Sequence, residues 1–350
     1  MKSPYPIQLY KYLRLKRSKV DSNSARLFYM SFEDALWDIL KKKKVKKGSV
    51  ILVPEFWCGD VEGNIKAHGY KVEHFPVSID FKTNVRQIIN ILNKINPKVL
   101  IIFHPFGISN ELFENPSWKK YLSKDAILIE DCVHRVVEPE KIKLLANNHV
   151  IVDSLRKVLP LQGSVVYGSK GFLDFKPDLF NGSWFYSVKV VWFWALMQLC
   201  LNIGNVKRAI AYMQKGYDLI GDHPDGARGW PIFDILQRHI DFKKIKAINE
   251  KQVNFYDRHL SGFKKPKYRK SDKRELRSYP LIFGAIEARK LLDFAEHRDL
   301  FLRCELDDCR WSRKRKVIGL PLAPHLNEKD LMRVCNILNE WQKTNTAKYM

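Results

Sequence analysis

Lys157 stands three residues after Ser154 in IVDSLRKVLP, and Asp131 stands three residues before His134 in ILIEDCVH. A lysine amine freed of its proton attacks carbonyl carbon and can later serve as a general base. A carboxylate beside a ring nitrogen keeps that nitrogen protonated, and a hydroxyl or the N–H groups opening a helix can hold a phosphate. These residues also have ordinary alternatives. Lys157 could be a solvated surface group, Asp131 a helix cap or turn residue, and His134 a satisfied structural histidine. Where the chain puts them in a fold must decide.

Segments of helical and strand-like pattern alternate from about residue 32 to 157. FEDALWDILKK has apolar residues at helical spacing, and VKKGSVILVP follows as turn and buried strand. CGDVEGNIKAHG reads as a helix stopped by Gly69, then come the strand YKVEHFPV, the helix VRQIINILNKI and the strand KVLIIFHPFG. WKKYLSK reads as a short helix and AILIEDCV as a further strand. Strands apolar on both faces, alternating with helices, predict a largely parallel sheet covered by helices, whose ligands lie beyond the strands' carboxyl ends. That directs attention to 54–58, 104–107 and 130–134. Residues 184–260 read as helical, and 278–342 as a small α+β unit. The expected division is an N-terminal arm over 1–24, a large α/β domain over 25–260 and a small C-terminal domain over 261–350.

The totals narrow the function classes. With 350 residues, 45% of them hydrophobic, the chain can bury a substantial core. Its six cysteines are scattered without a CxxC pair, which points to a reducing, cytoplasmic setting and to no metal site. No signal peptide opens the sequence. The 61 Lys and Arg against 38 Asp and Glu give a net charge of +23, a field that attracts polyanions. No helix-turn-helix, RNP-type or zinc-finger pattern accompanies it, so specific nucleic-acid binding is not expected. The uncharged run 190–206 is shorter than the roughly 20 residues a membrane span needs. Burial in the core or at a subunit interface is the first reading for it; weak contact with a membrane surface, through Trp184, Trp192 and Trp194 beside basic residues, is the second.

Set at strand ends, the opening residues suit pyridoxal phosphate. A lysine would carry it, a carboxylate would face its ring nitrogen, and an aromatic ring in Phe56-Trp57 would stack on it. The sequence resembles the DegT/DnrJ/EryC1/StrS sugar aminotransferases, within the fold-type I pyridoxal-phosphate enzymes. The phrases that carry the resemblance occur in the family's order: KKGSVILVPEFWC, GYKVEHFPVSIDFKTN, VLIIFHPFGISN, LIEDCVH, DSLRKVLPL, KAINEKQVNFYDRHL and LPLAPHLNEKDLMRVCNIL, together spanning roughly 25–340.

The resemblance implies Lys157 as the Schiff-base lysine, Asp131 as the partner of the pyridine nitrogen, and His134 beside the cofactor's phenolic oxygen. Trp57 is then the stacking ring, with Phe56 or Cys58 in that place if the register shifts by one. Ser154 would bind the phosphate, together with Ser31 and the N–H of Phe32 at the turn MSFEDAL. This member is divergent. Its Ser-to-Lys gap is short, the family's Gly-Thr or Gly-Ser turn is missing, and Glu33 and Asp34 sit where a phosphate would lie. The implied activity is transfer of an amino group from an amino acid, glutamate by analogy, to a nucleotide-linked keto-sugar. The implied pathway is surface-polysaccharide or related glycan synthesis. A homodimer with a shared active site is also implied, with Arg228 a candidate for an anionic substrate group. The competing reading is a degenerate relative that acts as a binding or assembly protein.

Overall fold

A computed structural model of the chain describes residues 9–18, 22–157, 159, 161–178, 184–221 and 228–346. Seven strands form its main sheet: β1 Ser24–Tyr29, β2 Val50–Pro54, β3 Lys71–Phe75, β4 Val99–Phe103, β5 Ile127–Asp131, β6 His149–Ser154 and β7 Ser164–Ser169. Their order is β1-β7-β6-β5-β4-β2-β3. From β3 through β6 the neighbours are parallel, while β7 runs antiparallel to β6 and β1 antiparallel to β7. β4, β5 and β6 are buried at every position, as strands covered on both faces must be.

Capping residues start the connecting helices. α1 (Phe32–Lys42) opens at Ser31, whose hydroxyl accepts the Asp34 N–H, and α2 (Gly59–Ala67) follows β2. α3 (Val85–Ile95) opens at Asn84, whose side chain accepts the N–H groups of Arg86 and Gln87. The segment WKKYLSK differs from expectation, forming a tight 3-10 turn over Pro116–Tyr121 behind the proline. β1 and β7 went unread in the sequence because SARLFY and SVVYGS are short and mix polar with apolar residues.

α4 (Trp184–Asn202) and α5 (Val206–Gly221) pair as a hairpin. The expected burial of α4 is found within the chain only in part. Val190, Met197 and Cys200 are buried, but Trp192 is 59% exposed, Leu199 56% and Ile203, just beyond it, 70%. These three recur at i, i+7 and i+11, which puts them along one outward face. Among the described residues no helix is long and apolar enough to cross a membrane.

α6 (Pro231–Arg238) and α7 (Phe242–His259) lead to a second sheet, in which β8 (Ser278–Gly284) pairs antiparallel with β9 (Arg315–Pro321). α8 (Ala285–Glu296) and α9 (Glu328–Thr346) cover it. The boundary expected at 260/261 falls just past the end of α7. The two sheets share one apolar cluster, in which Phe56 and Phe103 join Tyr279, Leu281 and Trp341. Parts of the expected N-terminal arm, 1–8 and 19–21, lie outside the described residues. Leu9 and Tyr12 of the remainder are buried in the cluster that holds Ile240 and Phe242.

Candidate active site

Two adjacent parallel strands, β5 and β6, deliver these chemistry-bearing residues at their carboxyl ends. Asp131 is the last residue of β5, His134 follows in the next turn, and Ser154 ends β6. Lys157 then closes the single turn Leu155–Lys157. Asp131 is 2% exposed and doubly held: the Trp57 indole N–H donates to Oδ2 at 2.7 Å, and the Val133 N–H donates to Oδ1 at 3.0 Å. Burial raises its pKa to about 6, while those two donors and the charge of Lys157 pull it down. Each carboxylate oxygen keeps a second lone pair, so the group can still accept a further N–H.

Lys157 is partly exposed. Its pKa falls to about 7, first because burial penalises the ammonium, then because Arg277, Arg156 and Arg303 repel it; Glu305 opposes them. A substantial fraction of this amine is therefore uncharged at neutral pH. His134 is 3% exposed, with its ring against Phe103 and Phe106. Burial and the charges of Arg277, Lys157 and Arg303 hold its pKa well below the usual histidine range. Its Nε2 lies 2.6 Å from Nη1 of Arg277, and Nη2 of that arginine donates to the Glu305 carboxylate at 3.1 and 3.3 Å.

The structure thus brings Asp131, His134, Trp57 and Lys157 into one cluster of hydrogen bonds and mutual fields. Ser154 is buried, and its hydroxyl has no partner among the described residues. At the start of α1 the Phe32 ring stands edge-on to Trp57 at 6.3 Å. The Ser31 hydroxyl, however, is engaged within its own turn, donating to the Asp34 carboxylate at 2.6 Å while accepting the Asp34 N–H at 3.1 Å. Arg228 bridges to Tyr29 at the end of β1; its side chain is exposed, and its N–H donates to the Asp178 carbonyl. Arg277, Arg303 and Glu305 were not foreseen. They come from the start of β8 and the loop before β9, and no motif marks them in the sequence.

The turn after β4 fits the small sheet against this cluster. Phe106 and Gly107 both have left-handed backbone, with φ of 58° and 95°. A Cβ on Gly107 would stand 2.2 Å from the Glu275 carbonyl oxygen, so only glycine fits there. The Phe106 carbonyl accepts the Arg277 N–H at 2.8 Å, and Arg135 forms an ion pair with Glu275.

No family model matches the chain, and no curated protein matches it. Solved structures do. A sugar aminotransferase from Streptococcus pneumoniae in its PMP form is 12% identical, with 93% of this chain and 88% of that one covered at a TM-score of 0.62. The DesV protein of S. venezuelae is 11% identical over 91% and 84% of the two chains, at a TM-score of 0.57. Histidinol-phosphate aminotransferase from Sinorhizobium meliloti, solved with pyridoxal-5'-phosphate, is 10% identical over 92% and 77%, at 0.51. The fold is that of the fold-type I pyridoxal-phosphate-dependent transferases. Of the residues named from the sequence, Asp131 falls within 130–134, one of the strand ends singled out there, while Ser154 ends β6 and Lys157 lies in the turn just past it.

A second buried cluster lies one residue along β5. The Glu130 carboxylate faces His104 Nε2 at 2.8 Å and His149 Nε2 at 3.2 Å. Both Nδ1 atoms accept backbone N–H groups, from Asn110 at 3.1 Å and Leu145 at 3.0 Å. The ring protons therefore sit on Nε2; that of His104 is shared with Glu130 in a hydrogen bond, while His149 Nε2 stands beside the carboxylate without hydrogen-bond geometry, and against the effect of burial the two histidines hold the Glu130 pKa well below the carboxylate range. Cys132 is near enough to complete a metal-like trio with His104 and Glu130. The Nε2 lone pair a cation would need is already protonated, so this cluster is a structural tie between strands. Glu130→Gln would set an amide N–H against one of the two ring N–H groups. It is expected to cost about 2 kcal/mol of unfolding free energy, read by urea denaturation. A change below about 0.5 kcal/mol would show that the two histidines do not depend on the carboxylate.

Proposed function

We propose that the protein is a pyridoxal-phosphate-dependent aminotransferase. It passes an amino group from an amino acid, glutamate by analogy, to a nucleotide-linked keto-sugar, in surface-polysaccharide or related glycan synthesis in the cytoplasm. One observation carries the reading: a lysine amine that is close to neutral at physiological pH shares a strand-end cluster with a buried aspartate and a buried histidine, on this fold. The likeness to sugar aminotransferases supports the substrate class by analogy.

The residues present fit the cofactor. The Ser154 hydroxyl and His134 Nδ1 are buried polar atoms without partners among the described residues, and each suits an oxygen of pyridoxal phosphate. Lys157 would carry the group, Asp131 would face its ring nitrogen, and Trp57 would be the aromatic ring against it. When bound, pyridoxal phosphate supplies an electron sink for the carbon that bears the amino group. The protein's own part is to hold and move protons. Lys157, once its amine is free, would take a proton from the donor's α-carbon and deliver it to the carbon on the other side of the transferred nitrogen, the one that comes from the cofactor's carbonyl. Asp131, ionised beside a protonated ring nitrogen, keeps that proton in place, and the Trp57 and Val133 N–H groups fix the direction in which its oxygens face.

The visible spectrum of the purified protein, before and after glutamate is added, tests this reading. An absorption band of bound cofactor that changes with the amino donor is expected; absence of any band after incubation with excess pyridoxal phosphate would overturn it. The turn at Ser31 favours a second reading, a binding or assembly protein without turnover, because its hydroxyl is engaged by Asp34 where a phosphate would need donors. A cofactor band that no amino donor alters would select that reading.

The active unit is a homodimer, and the outward face of α4 supports this, since Trp192, Leu199 and Ile203 together leave an apolar strip in water. Light scattering in detergent-free buffer is expected to give about twice the chain mass. A monodisperse monomer that binds cofactor and turns over would refute a shared site, and recovery only with detergent or anionic vesicles would assign the strip to a membrane surface.

A further inference from the structure

His134 is in contact with an arginine, and that contact fixes its tautomer. A guanidinium has N–H donors and no acceptor. The 2.6 Å approach of Arg277 Nη1 to His134 Nε2 therefore requires a lone pair at Nε2. The neutral ring then carries its proton on Nδ1, and Nδ1 is buried with no partner among the described residues. An orphaned buried donor is costly and rare in folded proteins, so its persistence here points to an acceptor that arrives from outside the chain.

Arg277 is itself immobilised. Nη2 donates to both oxygens of Glu305, its backbone N–H donates to the Phe106 carbonyl, and its side chain is 9% exposed. The Glu305 N–H in turn donates to the Val317 carbonyl in β9. A chain of contacts thus runs from the small sheet to one face of the His134 ring.

We propose that Arg277, tethered by Glu305, is a positioning residue that locks His134 in the Nδ1–H tautomer and so presents a fixed N–H donor to an oxygen of the bound group. Resting on the proposed function, that oxygen is the phenolic oxygen of pyridoxal phosphate. The lock makes the small sheet, through one arginine, a determinant of how the large sheet's histidine meets the cofactor.

The test reads the tautomer directly. In 15N-labelled protein without cofactor, two- and three-bond couplings to the ring protons should show His134 protonated at Nδ1. Arg277→Met keeps the length of the side chain and removes its donors, and should give a mixture or the Nε2–H form. Arg277→Lys, which can only donate, should restore Nδ1–H. With pyridoxal phosphate added, Arg277→Met should bind about tenfold more weakly, the equivalent of one hydrogen bond, and Arg277→Lys should stay within about threefold of wild type. An Nε2–H ring in the wild-type protein, or an unaltered Nδ1–H ring in Arg277→Met, would overturn the proposal. Should Arg277→Met not fold, Glu305→Gln, which loosens the tether, is expected to broaden or shift the His134 signals; unchanged signals would overturn it equally. A locked tautomer in a protein that takes up no pyridoxal phosphate would uphold the positioning role and defeat the proposed cofactor.

Discussion

Lys157→Ala is expected to lose at least about 10³-fold in transamination rate, because one amine serves both as attachment point and as proton carrier. Borohydride reduction of the wild-type protein with pyridoxal phosphate, followed by peptide mapping, should place the label on Lys157 and leave the alanine variant unlabelled. The depressed pKa adds a measurement independent of the cofactor. Without pyridoxal phosphate, acylation of Lys157 should reach half its maximal rate near pH 7, whereas exposed lysines respond only at much higher pH. Labelling of another lysine in preference, or an alanine variant that still turns over, would remove Lys157 from the chemistry.

Asp131→Asn should fold and lose about 100-fold in turnover, equivalent to about 2.7 kcal/mol of transition-state stabilisation. An amide cannot hold a proton on the ring nitrogen, so the sink weakens while the site keeps its shape. Stability should move differently. Burial raises the folded-state pKa of Asp131 above its ordinary value, so the protonated form favours the fold. That contribution is present at low pH and is lost as pH rises through about 6. Without cofactor, the wild-type protein should therefore lose ground relative to Asp131→Asn between about pH 4 and 7, as followed by thermal unfolding. Near-wild-type turnover by the variant would show that another group serves the ring nitrogen.

The α/β class, the parallel centre of the sheet and the strand ends were legible because VLIIF and AILIED are short apolar runs between turn residues, a local signal. The same locality exposed Asp131, His134, Ser154 and Lys157, all of which lie on or just after such runs. Arg277 and Glu305 were not legible. Each sits in a loop or at a strand start, and each acquires meaning only from a residue more than a hundred positions away or from its partner across the small sheet. The turn at Ser31 shows the other limit. Its pattern suits an N-cap and a phosphate site equally, and only the hydrogen bond to Asp34 shows where the hydroxyl is directed. For α4, composition announced an apolar helix, but which face would lie in water depends on how α5 and the sheet pack against it.

The close approach of Gly107 to the Glu275 carbonyl has a mechanical consequence. Backbone touches backbone there, and the Phe106–Arg277 hydrogen bond and the Arg135–Glu275 ion pair clamp the start of β8 on either side of it. This point is a fulcrum. Any swing of the small sheet must pivot about it, so α8, at the far end of β8, travels on the long arm while Arg277, beside the pivot, hardly moves. Such a swing would carry α8 furthest and leave the contact with His134 undisturbed.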